Sequence, residues 1–231
     1  MLSNDEFAII ALSLRVAAAS VVLSVPLALG CAWLLARRSF HGKTLFDALV
    51  HLPLVLPPVV IGYALLVLFG RQGVLGAALA DCCGITLAFR WTGAALAAAV
   101  MGFPLMVRAM RLSIEAVSPR LEAAARTLGA SRWRVFWTVT LPLSLPGVVV
   151  GVLLAFARSL GEFGATITFV SNIPGETQTL PLAIYSLTQS PGGDAAILRL
   201  CAVSVALALM ALAASEWINR RATRQQRGGL L

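Results

Sequence analysis

Two acid–arginine pairs are the residues best placed to do chemistry. Arg158 and Glu162 stand four apart inside an otherwise apolar run, and Glu122 and Arg126 stand four apart in the stretch "EAAARTLGASRWRVFWTVTLPLSLPG". Residues at that spacing share a helix face, and the acid-first order of Glu122 and Arg126 is the favourable one. An ionisable pair within an apolar run is costly and faces either a bundle interior or an aqueous cavity. Nucleophilic and metal chemistry have weaker claims. The two histidines, His41 and His51, stand near the start of the second apolar run, far in sequence from Arg158 and Glu162, and no His-Glu-x-x-His pattern exists. The four cysteines have no zinc spacing: Cys31 and Cys201 lie in apolar runs, and Cys82 and Cys83 are neighbours. "HGKT" at 41–44 ends like a phosphate-binding loop, but the first glycine of that motif would fall on Arg37, and no strand precedes it.

The elements that must carry these residues are set by composition. The chain has 231 residues, 59% hydrophobic and 12% charged, with a mean hydropathy of +0.88. A soluble domain carries about twice that charge, so this chain lacks the polar surface to cover a water-soluble globule. It reads as an all-α polytopic membrane protein with about five transmembrane helices. The spans are Phe7–Leu35, Ala48–Phe69, Trp91–Met110, Leu143–Val170 and Ala195–Trp217, each long enough at 1.5 Å rise per residue. The runs are continuous rather than alternating, which excludes a barrel. "GVLGAALADCCGITLAF", broken by Asp81 and glycines, is expected as an external loop or short helix, and so is "TLPLAIYSL" in the last external loop. Pro53, Pro57 and Pro58 must kink the second span; it is either a bent packing helix or one that lines a watery path. Gly93, Ala94, Ala97, Ala98 and Gly102 in the third span favour close helix contact. The start, "MLSNDEF", has no Lys or Arg and so does not read as a signal peptide.

Orientation follows from the basic residues. With the N-terminus outside, the inner segments carry thirteen Lys or Arg and the outer ones two, as the positive-inside rule requires. The net charge of +8 is thereby assigned to lipid headgroups and a cytoplasmic partner rather than to nucleic acid. Arg15 and Arg199 are expected to snorkel or pair at helix ends. Residues 1–219 form one membrane domain, with a cytoplasmic loop at about 113–142, and 220–231 a basic tail expected to be disordered.

The opening stretch therefore lies on the cytoplasmic side. Ser118–Pro119 is a helix start, Gly129 permits a reversal, Ser131 caps a second helix, and Pro142 is expected to end the hairpin. Leu121, Ala125 and Leu128 line one face. Such a hairpin either lies on the membrane surface without a partner or docks a soluble protein.

Glu-Ala-Ala followed by Gly129, nine residues and Val139-Thr140-Leu141-Pro142 resembles the inner-membrane permease subunits of ABC importers. The chain departs from the pattern once: measured back from Gly129, the family's glutamate falls on Ala123, and here it stands at Glu122. "LPLVLPPVVIGY", "LGASRWRVFWTVTLPLSLPG", "ARSLGEFGATITFVSNIPGETQTLPLAIY" and the last span together look like the molybdate permeases, with sulfate permeases the alternative. The resemblance implies a type I importer fold in the cell inner membrane, N-terminus periplasmic and C-terminus cytoplasmic. It implies two identical copies working with two ATPase subunits and a periplasmic oxyanion-binding protein, and alternating access for molybdate, with tungstate carried as well. It implies no catalysis and no cofactor in this chain, with ATP and magnesium on the ATPase. The loop becomes a coupling helix, carried by Glu122, Ala123, Ala124, Ala125, Gly129, Ala130, Ser131, Arg132, Leu141 and Pro142. For the buried pair, a structural role and a role beside the anion path both stay open. In the latter, Arg158, Ser159, Glu162 and Thr166 line the path, and Glu162 limits how tightly a dianion is held, since release must be fast. Thr168 is a further neutral donor. An intramembrane enzyme would need a Ser/His or His/Glu set within the spans. An autonomous channel or secondary carrier would pass anions without ATP.

Overall fold

The computed structural model describes residues 3–228, with side chains to Trp217; the basic tail expected from residue 220 lies outside the described side chains. Eleven α-helices are described: α1 (Asn4–Arg37), α2 (Lys43–Val55), α3 (Pro58–Phe69), α4 (Val74–Cys83), α5 (Trp91–Ala116), α6 (Pro119–Thr127), α7 (Arg132–Val135), α8 (Leu141–Leu160), α9 (Gly164–Val170), α10 (Leu180–Thr188) and α11 (Asp194–Gly228). A π-helical turn, Phe136–Thr140, joins α7 to α8. Four stretches are long and apolar enough to cross a membrane: α1, α5, Arg132–Leu160 and Asp194–Trp217.

The second expected span differs. Ala48–Phe69 is not one helix but the pair α2 and α3, bent by 112°. Pro53 is carried inside α2. The break falls at Leu56–Pro57, because a residue before proline is pushed out of the helical region and Pro57 and Pro58 are consecutive. Pro58 then opens α3 at its first position, where a missing N–H costs nothing. Leu143–Val170 is also corrected: α8 stops at Leu160, and Gly161–Phe163 separates it from α9. The two short helices foreseen outside the spans are α4 and α10.

α5 is the centre of the bundle, packed along α1 and α8, which also touch each other. Gly93, Ala94, Ala97, Ala98 and Gly102 are all buried. Without a hydrophobic driving force between helices in lipid, close approach of small residues supplies the packing. A Cβ on Gly102 would stand 3.3 Å from the Ala155 carbonyl oxygen of α8, and one on Gly62 of α3 would stand 2.5 Å from that of Ala165 in α9.

The end of the bundle where α1 begins is tied by polar contacts. Ser3 and Glu6 form a reciprocal cap on α1: the Glu6 N–H donates to Ser3 Oγ at 3.2 Å, and the Ser3 N–H donates to Glu6 Oε2 at 2.8 Å. The same Glu6 carboxylate receives Arg199 Nη2 of α11 at 2.7 Å, the helix-end pairing foreseen for that arginine. Ser13 Oγ of α1 accepts the Leu180 N–H of α10 at 2.7 Å. Arg15 lies over the ring of Trp91, 3.9 Å from its centroid.

Candidate functional site

The hairpin is built by local rules at its turn. Pro119 opens α6 at the first position, although Ser118 makes no side-chain cap. Gly129 holds φ +86, a left-handed value that glycine adopts without strain. There the Ala130 N–H donates to Ala125 O at 3.1 Å and the Gly129 N–H to Arg126 O at 3.0 Å, the paired bonds of a Schellman ending. Ser131 Oγ then accepts the Arg134 N–H at 3.3 Å, capping α7.

Pro142 does not end the hairpin. α7 continues through the π turn into α8 as one stretch, Arg132–Leu160. Pro142 brings no N–H to the preceding turn, and the helix widens there, with the Leu141 N–H reaching back to Phe136 O. The hairpin's second arm is thus one end of a helix long and apolar enough to cross a membrane, and any push on the turn passes into that helix directly.

Glu122 is where sequence and structure part. Its carboxylate does not pair with Arg126. It is 8% exposed, lies 3.0 Å from Arg37 Nη2 at the end of α1, and accepts the Thr140 hydroxyl at 2.8 Å. Arg37 Nη2 also donates to Val117 O at 2.7 Å. Arg126 Nε donates only weakly, to the Glu122 backbone carbonyl at 3.4 Å. Glu122 therefore locks three elements together: α1, α6 and the π turn. Arg37 and Thr140 were not legible as its partners: both are distant in sequence, Arg37 belongs to no motif, and the motif that holds Thr140 does not say which side chain its hydroxyl meets.

With the acid turned inward, the apolar residues of the hairpin turn outward. Leu128 at the tip is 88% exposed and Trp133 68%, with Leu121 and Trp137 also exposed. Ala123 and Ala124 are exposed, Ala125 and Ala130 half-buried. An exposed apolar patch beside polar residues marks an interaction surface.

The second constellation sits at the break between α8 and α9. Arg158 and Glu162 do not share one continuous helix, because α8 has ended before Glu162. The chain turns there, and the Glu162 carboxylate, 3% exposed as a residue, serves both sides of the break. Its Oε1 accepts the Ala165 N–H at 2.8 Å, capping α9, and its Oε2 lies 2.7 Å from Arg158 Nη1. The Arg158 side chain keeps 29% of its surface exposed. Ser159 is turned into the bundle, its Oγ 2.9 Å from Ser20 Oγ of α1. Thr166 is buried on α9, and the Thr168 hydroxyl donates to Gly164 O at 2.8 Å. Among the described residues no group of three or more His, Cys, Asp or Glu side chains is arranged to hold a metal ion.

Comparisons with known proteins agree on one family. The model of the binding-protein-dependent transport system inner membrane component matches residues 24–224. The chain is 61% identical over 220 residues to the molybdenum transport system permease protein ModB of Escherichia coli K12, covering 95% of this chain and 96% of that one. It is 38% identical over 222 residues to the sulfate transport system permease protein CysW of Synechococcus elongatus, covering 94% and 76%. In fold it matches a chain of the inward-facing MetNI methionine ABC transporter with a TM-score of 0.73 at 16% identity, covering 96% and 99%.

Proposed function

This chain belongs to the family of inner membrane components of binding-protein-dependent transport systems, and from that premise we propose that it is the membrane-spanning permease of an ATP-driven importer of molybdate. The substrate follows the relatives: molybdenum permeases stand at 61% identity across nearly the whole chain, and a sulfate permease at 38%. The permease adds no bond chemistry of its own. Hydrolysis of ATP belongs to a separate subunit, which supplies the nucleotide and magnesium.

The observation that carries the coupling assignment is the hairpin's inside-out build. Its acid is buried against Arg37, and its leucines and tryptophans face outward. An anchored base and an apolar tip suit a lever that another protein grips. Two copies, each gripped by an ATPase subunit, would tilt against one another and expose the path alternately to either side. A periplasmic binding protein delivers the anion. The hairpin and the Arg37 end of α1 lie on the cytoplasmic face, and the Glu6–Arg199 end lies on the periplasmic face.

The Arg158–Glu162 corner supplies positive charge without a firm anion trap. Arg158 is partly exposed while its carboxylate partner is buried, so a passing dianion meets a guanidinium already half neutralised. Weak holding suits passage.

The experiment is uptake of radiolabelled molybdate in cells lacking their own high-affinity system, complemented with this permease, its ATPase and its binding protein. Uptake that needs all three and resists excess sulfate is expected. Uptake abolished equally by sulfate would assign the chain to the sulfate branch, and flux without the ATPase would make it an autonomous carrier.

A further inference from the structure

We propose that the cavity between the end of α1 and the hairpin is a binding site for a phosphate-type oxyanion. The cavity holds about 220 Å³, and its lining includes Arg37, Arg38, Arg126, Arg132, Glu122 and Trp33. Four guanidiniums thus surround one carboxylate. That carboxylate is already engaged by Arg37 and Thr140. Among the described residues, Arg38, Arg126 and Arg132 have no carboxylate partner: Arg38 lies over the Trp33 ring, and Arg126 reaches only a backbone carbonyl.

A second observation points the same way. Arg37 Nε is buried with no hydrogen-bond partner. Buried donors are satisfied in native proteins by protein, water or ligand. Arg37 lines the cavity beside three guanidiniums that have no carboxylate partner, and its own donors are not all used, a setting that asks for an anionic acceptor. Guanidinium forks match the oxygens of phosphate with paired, charge-assisted bonds, and a site of this size suits a small anion rather than a drug-sized ligand.

The position admits two sources. Trp33 stands at the end of a membrane span, where tryptophans mark the headgroup level, and basic pockets between helices on the cytoplasmic side take anionic headgroups. The cavity also opens beside the hairpin, where free phosphate could enter. In either case the bound oxyanion bridges α1 to α6 and α7 and stiffens the base of the lever. The site is independent of which anion the importer carries, so its test does not depend on transport.

The test uses the permease purified with its ATPase in nanodiscs of phosphatidylcholine. One arm titrates inorganic phosphate; the other replaces part of the lipid with phosphatidylglycerol, and native mass spectrometry reads retained lipid. A saturable rise in melting temperature of about 5 °C at a hundredfold excess over the dissociation constant is expected in one arm, and the responding arm names the source. In the Arg38→Gln/Arg132→Gln variant the rise disappears, and lysine at both positions restores part of it. Arg38 is exposed, so Arg38→Gln alone, which gives up only the contact with the Trp33 ring, serves if the double variant does not purify. No response in either arm, or a response unchanged in the variants, overturns the proposal.

Discussion

Arg37 and Glu122 meet at 3.0 Å across the joint between α1 and the α6–α7 hairpin. The contact ties the first membrane helix to a loop that follows the third expected span, and Thr140 closes the triangle from the π turn. The hairpin is therefore hinged on the bundle by charge, at its base rather than at its tip.

Removing one partner leaves the other nearly buried and uncompensated. Glu122→Ala should destabilise the permease by about 2–4 kcal/mol, toward the lower side of buried-pair losses because both side chains keep some exposure. Thermal unfolding in detergent measures this. The double change Arg37→Met/Glu122→Leu should recover more than half of the loss, and a strictly additive double variant would show that the two residues do not interact.

The tip should behave in the opposite way. Leu128 is almost fully exposed, so Leu128→Glu should leave the melting temperature of the isolated permease within about 1 °C, as for surface changes generally. It should reduce recovery of the ATPase in co-purification at least tenfold. Undiminished recovery would mean that the hairpin tip is not the gripped surface. Gly129→Pro, which cannot adopt φ +86, should lose both the turn and the ATPase.

At the second corner, charge and capping can be separated. Glu162→Gln retains an oxygen to accept the Ala165 N–H while removing the negative charge beside Arg158. It should keep near-native stability and slow transport by tighter anion retention. Arg158→Ala should impair molybdate uptake more than ATPase association; equal loss of both would make the pair purely structural.

Close packing gives a stability prediction. A Cβ on Gly62 would lie 2.5 Å from the Ala165 carbonyl, so Gly62→Ala should cost about 1–3 kcal/mol through forced separation of α3 and α9. Ala at Gly129 meets no neighbour, and its cost should be the smaller one of a left-handed backbone, about 1 kcal/mol. Equal melting temperatures for the two variants would contradict this ranking.

Native cysteines report orientation. Cys82 and Cys83 are exposed, and Cys31 and Cys201 are half-buried in membrane helices. An impermeant maleimide should label residues 82–83 from the periplasmic side, and a cysteine placed at Ala130 only from the cytoplasm. The hydrogen bond with the Cys83 thiol, and then burial, holds the Cys82 thiol above its ordinary range. The thiolate is the reactive form, so Cys82 labelling should be slow at neutral pH and quicken only as the pH rises past the usual thiol value.

The amino-acid sequence alone determined the membrane class, the positions of most spans, the two short helices outside them and the turn at Gly129. Each of these rests on local physics: an apolar run of membrane length, a proline at a helix start, a glycine where φ is positive. What the tertiary structure decided was the partnering of charges and the angles between helices. Glu122 had Arg126 at ideal spacing yet is buried against Arg37, because a carboxylate facing the bundle gains more from a nearly dry guanidinium and a hydroxyl than from an exposed neighbour. The prolines at 57 and 58 announced a bend, but its 112° depends on the packing of α3 against α9. The split at Gly161–Phe163 depends likewise on Glu162 being placed to cap α9. Spacing along a chain tells which groups can meet on one helix; which of them do meet is settled by the helices that pack alongside.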